Sequence, residues 1–235
     1  MEYKIHHHWP ENKFEAIEIQ KKLAEKIQID GNYDDIKLIA AVDTAYGKNA
    51  DLIFAASVLV TFPEIEEVER TFQYEPVNFP YIPGYFYFRE GHVIINTLAK
   101  LKCEPDIIIV HGHGIAHPRR CGIASLIGLA FDKPSIGCAR KLLTGNLRQV
   151  SPTKGSYQPI ILNSKEVGIA YRSKDNVKPI FISPGYKCNL NQSKDIIVKN
   201  LRGFRLPEPL RIAHLIANKF KRHIENKELV SSSQS

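Results

Sequence analysis

A short aliphatic run followed at once by a polar, glycine-containing segment constrains this chain more than any other feature. Residues Ile107–Val110 are all aliphatic, which is typical of a strand buried on both faces, as inside a parallel sheet. The next segment, His111–Arg120, contains three histidines, two glycines, a proline and two arginines, and the apolar residues 121–131 then predict a helix. Open α/β sheets bind ligands at such strand–loop–helix units, beyond the carboxyl ends of their strands.

Strands are predicted on both sides of this unit by short runs rich in β-branched and aromatic residues. The first three runs are joined by short turns, which predicts an antiparallel meander, and two later runs frame a predicted β-hairpin. The runs are residues 37–43, 52–62, 66–74, 133–139, 158–162, 167–171 and 178–185. Amphipathic helices are predicted at residues 10–29, 92–101 and 207–224.

The length of 235 residues suits one sizeable α/β domain, which we expect over residues 1–225, with a disordered tail at 226–235. The formal net charge of +7 favours a polyanionic partner. The sequence contains neither a run of transmembrane length nor the apolar core of a signal peptide. These features predict a cytoplasmic protein that does not bind a membrane.

Several polar residues lie at predicted element ends, and each has a structural and a functional interpretation. Asp43 closes a predicted buried strand, where an aspartate is more often a turn former than a ligand, but His111 closes another strand. Glu90 lies in the predicted first turn of a helix, where it would either cap the helix or bind a metal. His214 lies beside the apolar stripe of the last helix, a position typical of core histidines.

The segment Pro76–Tyr85 contains three prolines and a glycine, which exclude a regular element and predict a stiff loop carrying Tyr81. Two interpretations of Tyr81 stay open. The ring is either a wedge that stacks on a nucleobase, or a side chain that packs down on the sheet. Local composition alone favours packing on the sheet.

Several segments together resemble the endonuclease V family, which nicks nucleic acid near deaminated adenine. They occur in the family's order and spacing, and the tyrosine loop with the His-Pro-Arg-Arg run is their most specific combination. The resembling segments are Val42–Tyr46, Pro80–Gly84, Phe88–Glu90, Gly114–Arg120, Ile136–Gly137 and Leu206–His214. They span most of the chain.

The resemblance implies a ribonuclease-H-like α/β fold, in which a mixed five-stranded sheet is flanked by helices. The first and fourth strands of that fold are neighbours, so that Asp43 and His111 would end adjacent strands. The resemblance also implies a divalent metal bound by Asp43, Glu90 and residue 111, and catalytic roles for Asp43, Glu90, Arg140 and His214. Such a metal site suits in-line displacement at phosphorus.

The implied partner is inosine-containing DNA or RNA. The wedge at the lesion would be formed by Pro80, Tyr81, Ile82 and Pro83. The base pocket and phosphate contacts would come from Gly84, Gly114, Ile115, Ala116, His117 and Arg119. Extruding a base from a duplex costs a few kcal/mol, and least where pairing is already weak, as at deaminated adenine.

The chain departs from the family pattern at four positions, which we expect on the active-site side. His111 stands where the family has an aspartate. The family also has a histidine near the position of Leu126, a lysine near that of Arg140 and a histidine near that of Tyr186. Asp106 cannot replace the missing aspartate, because it lies five residues upstream and belongs to the other end of the strand.

The replacement at residue 111 removes a negative charge and a hard oxygen ligand. Mg²⁺ prefers oxygen ligands whereas imidazole suits Mn²⁺, so that we expect Mg²⁺ or Mn²⁺, with Mn²⁺ more compatible with His111. Two hypotheses follow. The principal one is a nuclease with a modified metal site, and the alternative is a catalytically weak or inactive paralogue that binds nucleic-acid lesions.

Overall fold

A computed structural model describes residues 1–4, 7–31, 33–49 and 51–232. Its strands are β1 (Leu38–Tyr46), β2 (Leu52–Thr61), β3 (Glu67–Pro76), β4 (Ile107–Val110), β5 (Ser135–Ala139), β6 (Tyr157–Leu162), β7 (Lys165–Tyr171) and β8 (Ile180–Tyr186). Its helices are α1 (Lys13–Ala24), α2 (Phe86–Ala99), α3 (Ile123–Phe131), α4 (Leu190–Lys199) and α5 (Glu208–Ser232).

The described strands form one mixed sheet in the order β3-β2-β1-β4-β5-β8-β7-β6. The predicted meander is confirmed, because β2 pairs antiparallel with both β1 and β3. The predicted contact between the first and fourth strands is confirmed too, since β1 and β4 run parallel. The α/β class is therefore confirmed, but the prediction of five strands is wrong. The later hairpin and β8 extend the sheet, because β8 pairs antiparallel with β5.

The alternation of side chains along β4 explains why this strand lies in the middle of the molecule. Ile108 and Val110 pack into the cluster that holds buried residues of α1, α2 and α3. Ile107 and Ile109 pack into the cluster that holds buried residues of α4 and α5. Each fully buried aliphatic side chain stabilises the fold by about 1.5–3 kcal/mol. The layers of helices on both faces therefore fix the position of the loop that follows Val110.

Two predicted boundaries differ from the structure. Helix α2 begins at Phe86 rather than at residue 92, so that Glu90 lies in the interior of the helix and not in its first turn. Capping by Glu90 is therefore excluded. Helix α5 continues to Ser232, so that residues 226–232 of the expected disordered tail are helical, while residues 233–235 lie outside the described chain. No described helix is long and apolar enough to span a membrane.

Close backbone packing fixes the loop after β4. A Cβ atom built on Gly114 would lie 1.8 Å from the carbonyl oxygen of Pro184 in β8. Because real Cβ atoms do not approach backbone atoms so closely, only glycine fits at this position without displacing a strand. The loop that carries His111 is thus held directly against the centre of the sheet.

Candidate active site

The register of two parallel strands brings Asp43 and His111 together. Val42 of β1 pairs with Val110 of β4, and the backbone N–H of His111 donates to the carbonyl of Val42 at 3.2 Å. The next side chains along both strands then meet, with His111 Nδ1 at 2.7 Å from Asp43 Oδ1. The predicted proximity of Asp43 and His111 is therefore present, but β1 continues to Tyr46, so that Asp43 lies within the strand and does not close it.

A second imidazole, from a helix that packs against β1, contacts the same carboxylate. Helix α5 packs against β1 and places His214 Nδ1 at 2.8 Å from Asp43 Oδ2. The backbone N–H of Thr44 donates to Asp43 Oδ1 at 2.8 Å. An ionised carboxylate only accepts hydrogen bonds, so that both imidazoles carry a proton on Nδ1 and have Nε2 as the remaining ring nitrogen.

The environment of Asp43 favours its ionised form. The side chain is only 4% exposed, and burial by itself raises the pKa of a carboxyl group. The electrostatic interaction with His111 and the hydrogen bonds from His111, His214 and Thr44 outweigh burial and lower the pKa of Asp43 to about 2. Asp43 therefore stays a carboxylate over the whole physiological range.

Glu90 projects from α2 to the same sheet edge and is held by two hydroxyl groups. Tyr46 donates from its hydroxyl to Glu90 Oε1 at 2.6 Å, and Thr44 donates from Oγ1 to Glu90 Oε2 at 3.0 Å. Burial raises the pKa of Glu90, the two hydroxyl donors oppose that shift, and the negative charge of Asp43 adds to it. Thr44 links the two carboxylates, because its N–H donates to Asp43 and its hydroxyl to Glu90.

The carboxylates of Asp43 and Glu90 and the two imidazoles are groups that can bind a divalent metal, although the carboxylate oxygens accept hydrogen bonds from protein groups. Among the described residues, no three His, Cys, Asp or Glu side chains are grouped as a metal site. Two carboxylates and two imidazoles at one edge are nevertheless a donor set that suits first-row transition metals. An Asp43–imidazole pair also matches the way in which carboxylates orient metal-binding histidines through the second ring nitrogen.

The other substituted positions are not all near this edge. Arg140 follows β5 there and is exposed, and its carbonyl accepts from Arg205 at 2.6 Å. Tyr186 pairs with Ser135 at the opposite end of β5, and its hydroxyl donates to Asp132 at 3.1 Å. The expectation that Tyr186 lies on the active-site side is therefore wrong.

The remaining substituted residue, Leu126, is 1% exposed and belongs to the apolar core between the helices and the sheet. Its position in α3 makes it a packing residue.

Asp106 accepts hydrogen bonds from the backbone N–H groups of Lys37 and Leu38 at 2.8 and 2.9 Å, at the start of β1. The prediction that Asp106 lies at the other end of the sheet is thus confirmed.

The proline-rich loop presents its aromatic tip to solvent. Tyr81 is 63% exposed, and its nearest aromatic neighbour is Phe86, at 5.2 Å between ring centroids. The interpretation that Tyr81 packs down on the sheet is wrong. Pro80 and Pro83 are exposed as well, whereas Ile82 is half-buried. The predicted wedge residues therefore protrude into solvent, and Ile82 is the one whose side chain is partly buried.

Three buried or half-buried side chains hold the end of this loop. The carbonyl of Gly84, a residue with φ of +84°, accepts from Gln20 Nε2 at 2.9 Å, from His117 Nε2 at 2.7 Å and from the Arg119 guanidinium at 3.3 Å. Arg119 also donates from Nε to Gln20 Oε1 at 2.6 Å. The loop is thus supported by a connected polar cluster, and we expect it to be rigid.

This cluster changes the interpretation of His117 and Arg119. His117 is 1% exposed, its Nδ1 accepts from the Arg119 N–H at 3.2 Å, and burial lowers the pKa of His117 to about 4. As arranged, both side chains support the loop instead of reaching a phosphate, and Ile115 and Ala116 are buried beside them. Sequence reasoning missed Gln20, because it lies within an amphipathic helix and belongs to no motif.

Comparisons with known proteins identify the family of this chain. The family model "Endonuclease V" matches residues 21–215. Endonuclease V of Dictyoglomus turgidum is 44% identical over 205 residues, or 87% of this chain and 89% of that protein. The crystal structure of Streptomyces avermitilis endonuclease V has a TM-score of 0.86 and 30% identity, and the match covers 92% of this chain and 96% of that one. Ciona intestinalis endonuclease V, in complex with a 24mer DNA containing an inosine followed by a ribo-adenosine, has a TM-score of 0.78 and 26% identity, covering 90% and 98%.

The pairing of Asp43 with two imidazoles makes a prediction about stability. Because the pKa of Asp43 falls from 3.8 to about 2 on folding, its stabilising effect is complete above about pH 4 and is lost as the pH falls to about 2. We expect Asp43→Asn to lower the free energy of unfolding by about 2 kcal/mol near neutral pH. The difference from the unmodified protein should shrink toward zero by about pH 2.

Chemical denaturation across this pH range measures the effect, and Asp51→Asn, at an exposed position, is the matched control. If repulsion between the Asp43 and Glu90 carboxylates dominated instead, the substitution would have the opposite effect on stability. In that case Asp43→Asn would be more stable than the unmodified protein near neutral pH.

Proposed function

The chain belongs to the endonuclease V family, and we propose that it is a metal-dependent endonuclease that cuts a phosphodiester bond near inosine in DNA or RNA. The observation that carries this proposal is that Asp43 pairs with His111 and is linked through Thr44 to Glu90. The inosine-containing DNA bound by the Ciona intestinalis protein supports inosine as the lesion.

The residues at this edge have distinct proposed roles. Asp43, Glu90 and His111 would bind the divalent ion, which would supply positive charge at the scissile phosphate and a more acidic water. Asp43 orients His214 by accepting its Nδ1–H. In a neutral His214, Nε2, which lies 3.3 Å from the Asn218 amide nitrogen, is the atom that can accept a proton from water. Arg140 lies exposed at the same edge and can pair with a phosphate oxygen.

The connection between the site and the wedge also supports the proposal. Arg89, the neighbour of Glu90, donates from Nε to the Tyr46 hydroxyl at 3.1 Å and from its guanidinium to the Phe79 carbonyl at the start of the loop. The residue that holds the Tyr46–Glu90 pair therefore also holds the loop that presents Tyr81. A base displaced at Tyr81 would in this way have a fixed relation to the metal-binding edge.

One observation favours the second candidate function, a lesion-binding protein with weak hydrolysis. Both oxygens of Asp43 and both oxygens of Glu90 already accept hydrogen bonds from protein groups. A cation must displace some of these donors, and with an imidazole at residue 111 Mg²⁺ gains fewer oxygen ligands in return. The metal-dependence of nicking separates the two functions.

The substitution His111→Asp tests the role of the imidazole. It restores an oxygen ligand, so that we expect Mg²⁺-dependent nicking of an inosine oligonucleotide to rise at least tenfold, about 1.4 kcal/mol in the barrier. The unmodified protein should be more active with Mn²⁺ than with Mg²⁺. Single-turnover cleavage with each metal is the measurement.

His111→Asn is the matched control, since it removes the imidazole without adding a charge, and it should be inactive with both metals. If the unmodified protein cleaves vigorously with Mg²⁺, His111 does not impair the metal site. If neither metal supports cleavage by any variant, the endonuclease proposal is wrong, and the lesion-binding alternative then requires that the unmodified protein still binds the inosine strand.

The substitution Tyr81→Ala tests the wedge. Because the ring is largely exposed, its removal should leave the melting temperature nearly unchanged. Affinity for an inosine-containing strand should fall by about 1–3 kcal/mol, the usual contribution of base–aromatic stacking, with a smaller loss for unmodified strands. Melting curves and fluorescence anisotropy measure the two quantities.

Tyr157→Ala is the matched control, because Tyr157 is also exposed, at 52%, but lies on strand β6 at the far edge of the sheet. Equal losses of affinity in both variants would remove Tyr81 from the proposed interface.

A further inference from the structure

One ring nitrogen near the proposed site has no hydrogen-bond partner. His113 lies three residues beyond the end of β4, and its Nε2 is 2.9 Å from the carbonyl oxygen of Lys141. A carbonyl oxygen only accepts, so that Nε2 carries the proton. The other nitrogen, Nδ1, is buried and has no partner among the described residues. A buried polar atom without a partner costs free energy, and such an atom in a folded protein calls for a reason.

His113 lines a small cavity between the end of the tyrosine loop and the loop after β4. Its lining is formed by Gln20, Gly84, Phe86, Tyr87, His113, His117, Gly122, Ile123 and Leu143. The Gln20 amide, the His117 ring and the Gly84 carbonyl are all engaged with one another or with Arg119. The Tyr87 hydroxyl contacts His7 Nε2 at 2.9 Å. Within this lining, His113 Nδ1 is thus the side-chain polar atom that remains free to bind a ligand.

The ring is poised as an acceptor. No acidic side chain belongs to the cavity lining, so that a second proton on the ring would bury an unpaired charge. In the neutral ring, the bond from Nε2 to the Lys141 carbonyl leaves the lone pair on Nδ1. The ring of this cavity-lining residue therefore has one unpaired hydrogen-bond acceptor, whose direction is fixed by the bond to Lys141.

We propose that His113 Nδ1 accepts a hydrogen bond from N1–H of hypoxanthine, and that this contact makes the site prefer inosine to adenosine. Hypoxanthine carries a hydrogen on N1, whereas adenine has a lone pair there. A fixed acceptor attracts the first base and repels the second, and a site built around a hydrogen bond rejects a partner that leaves it unmade. The inference rests on the proposed function.

A base can enter only if the cavity widens, because its volume of about 20 Å³ is near that of one water molecule. One wall is formed by Leu143, which is half-buried and lies in a segment without helix or strand. Phe86, also half-buried, borders the cavity beside Tyr81. Displacement of Leu143 would open the cavity next to the exposed wedge.

Two conservative substitutions separate recognition from structural support. In His113→Gln the amide nitrogen can take the place of Nε2 and keep the bond to the Lys141 carbonyl, but no acceptor remains at the place of Nδ1. In His113→Asn the side-chain oxygen can take the place of Nδ1, but the bond to Lys141 is lost. A recognition role therefore predicts that the Gln variant is the impaired one, and a structural role predicts the reverse.

The test is equilibrium binding of single strands that differ only at one base, inosine, adenosine or 1-methylinosine, measured in EDTA and again in Ca²⁺. We expect the unmodified protein to prefer inosine over both other bases, since 1-methylinosine lacks N1–H. The ratio of the adenosine Kd to the inosine Kd should fall about tenfold in His113→Gln and much less in His113→Asn. Melting temperatures identify any variant that is misfolded.

The possible outcomes are distinct. If His113→Gln keeps the full preference for inosine, or if 1-methylinosine binds as well as inosine, this inference is overturned while the proposed function stands. If the unmodified protein shows no preference for inosine in either condition, the proposed substrate is wrong and the inference is overturned with it.

Discussion

The Asp43 carboxylate, held between two imidazoles, is the interaction on which the rest of the site depends. A carboxylate that is 4% exposed is tolerated only when hydrogen bonds and opposite charge compensate for lost hydration. Its partners are His111, which follows the neighbouring strand β4, and His214 of α5, which packs against β1. The interaction therefore ties the centre of the sheet to the last helix, and it can form only when all three elements are in register.

The same interaction explains what an imidazole at residue 111 changes. A carboxylate there would repel Asp43 and Glu90 until a cation was bound, whereas His111 donates a hydrogen bond to Asp43. Compared with an aspartate, a histidine at residue 111 thus lowers the affinity of the site for a hard cation but stabilises the site when no metal is bound. Under the proposed function, we expect family membership to determine the lesion and the type of reaction, and residue 111 to affect the choice of metal and the rate.

Much of this arrangement could be predicted from sequence, and the failures have physical reasons. The aliphatic run predicted β4 itself, but the adjacency of Asp43 and His111 was implied only by the family resemblance, because local sequence does not encode the order of strands in a sheet. Helix α2 was predicted to begin too late, because Tyr85 precedes it without a side-chain cap to mark the boundary. Tyr186 was placed at the wrong end of the sheet, since only strand pairing shows that β8 runs antiparallel to β5. The loop support from Gln20 depends on tertiary contacts that no local pattern encodes.

The central claim is that both imidazoles bind Asp43 through Nδ1–H, and nitrogen NMR of the histidine rings tests it most directly. Spectra of ¹⁵N-histidine-labelled protein at neutral pH, assigned by substituting His111 and His214 one at a time, report which ring nitrogen carries the proton. The account predicts Nδ1–H for both rings, with the resonances of both shifting in Asp43→Asn. Nε2–H tautomers at both positions, unaffected by Asp43→Asn, would contradict it.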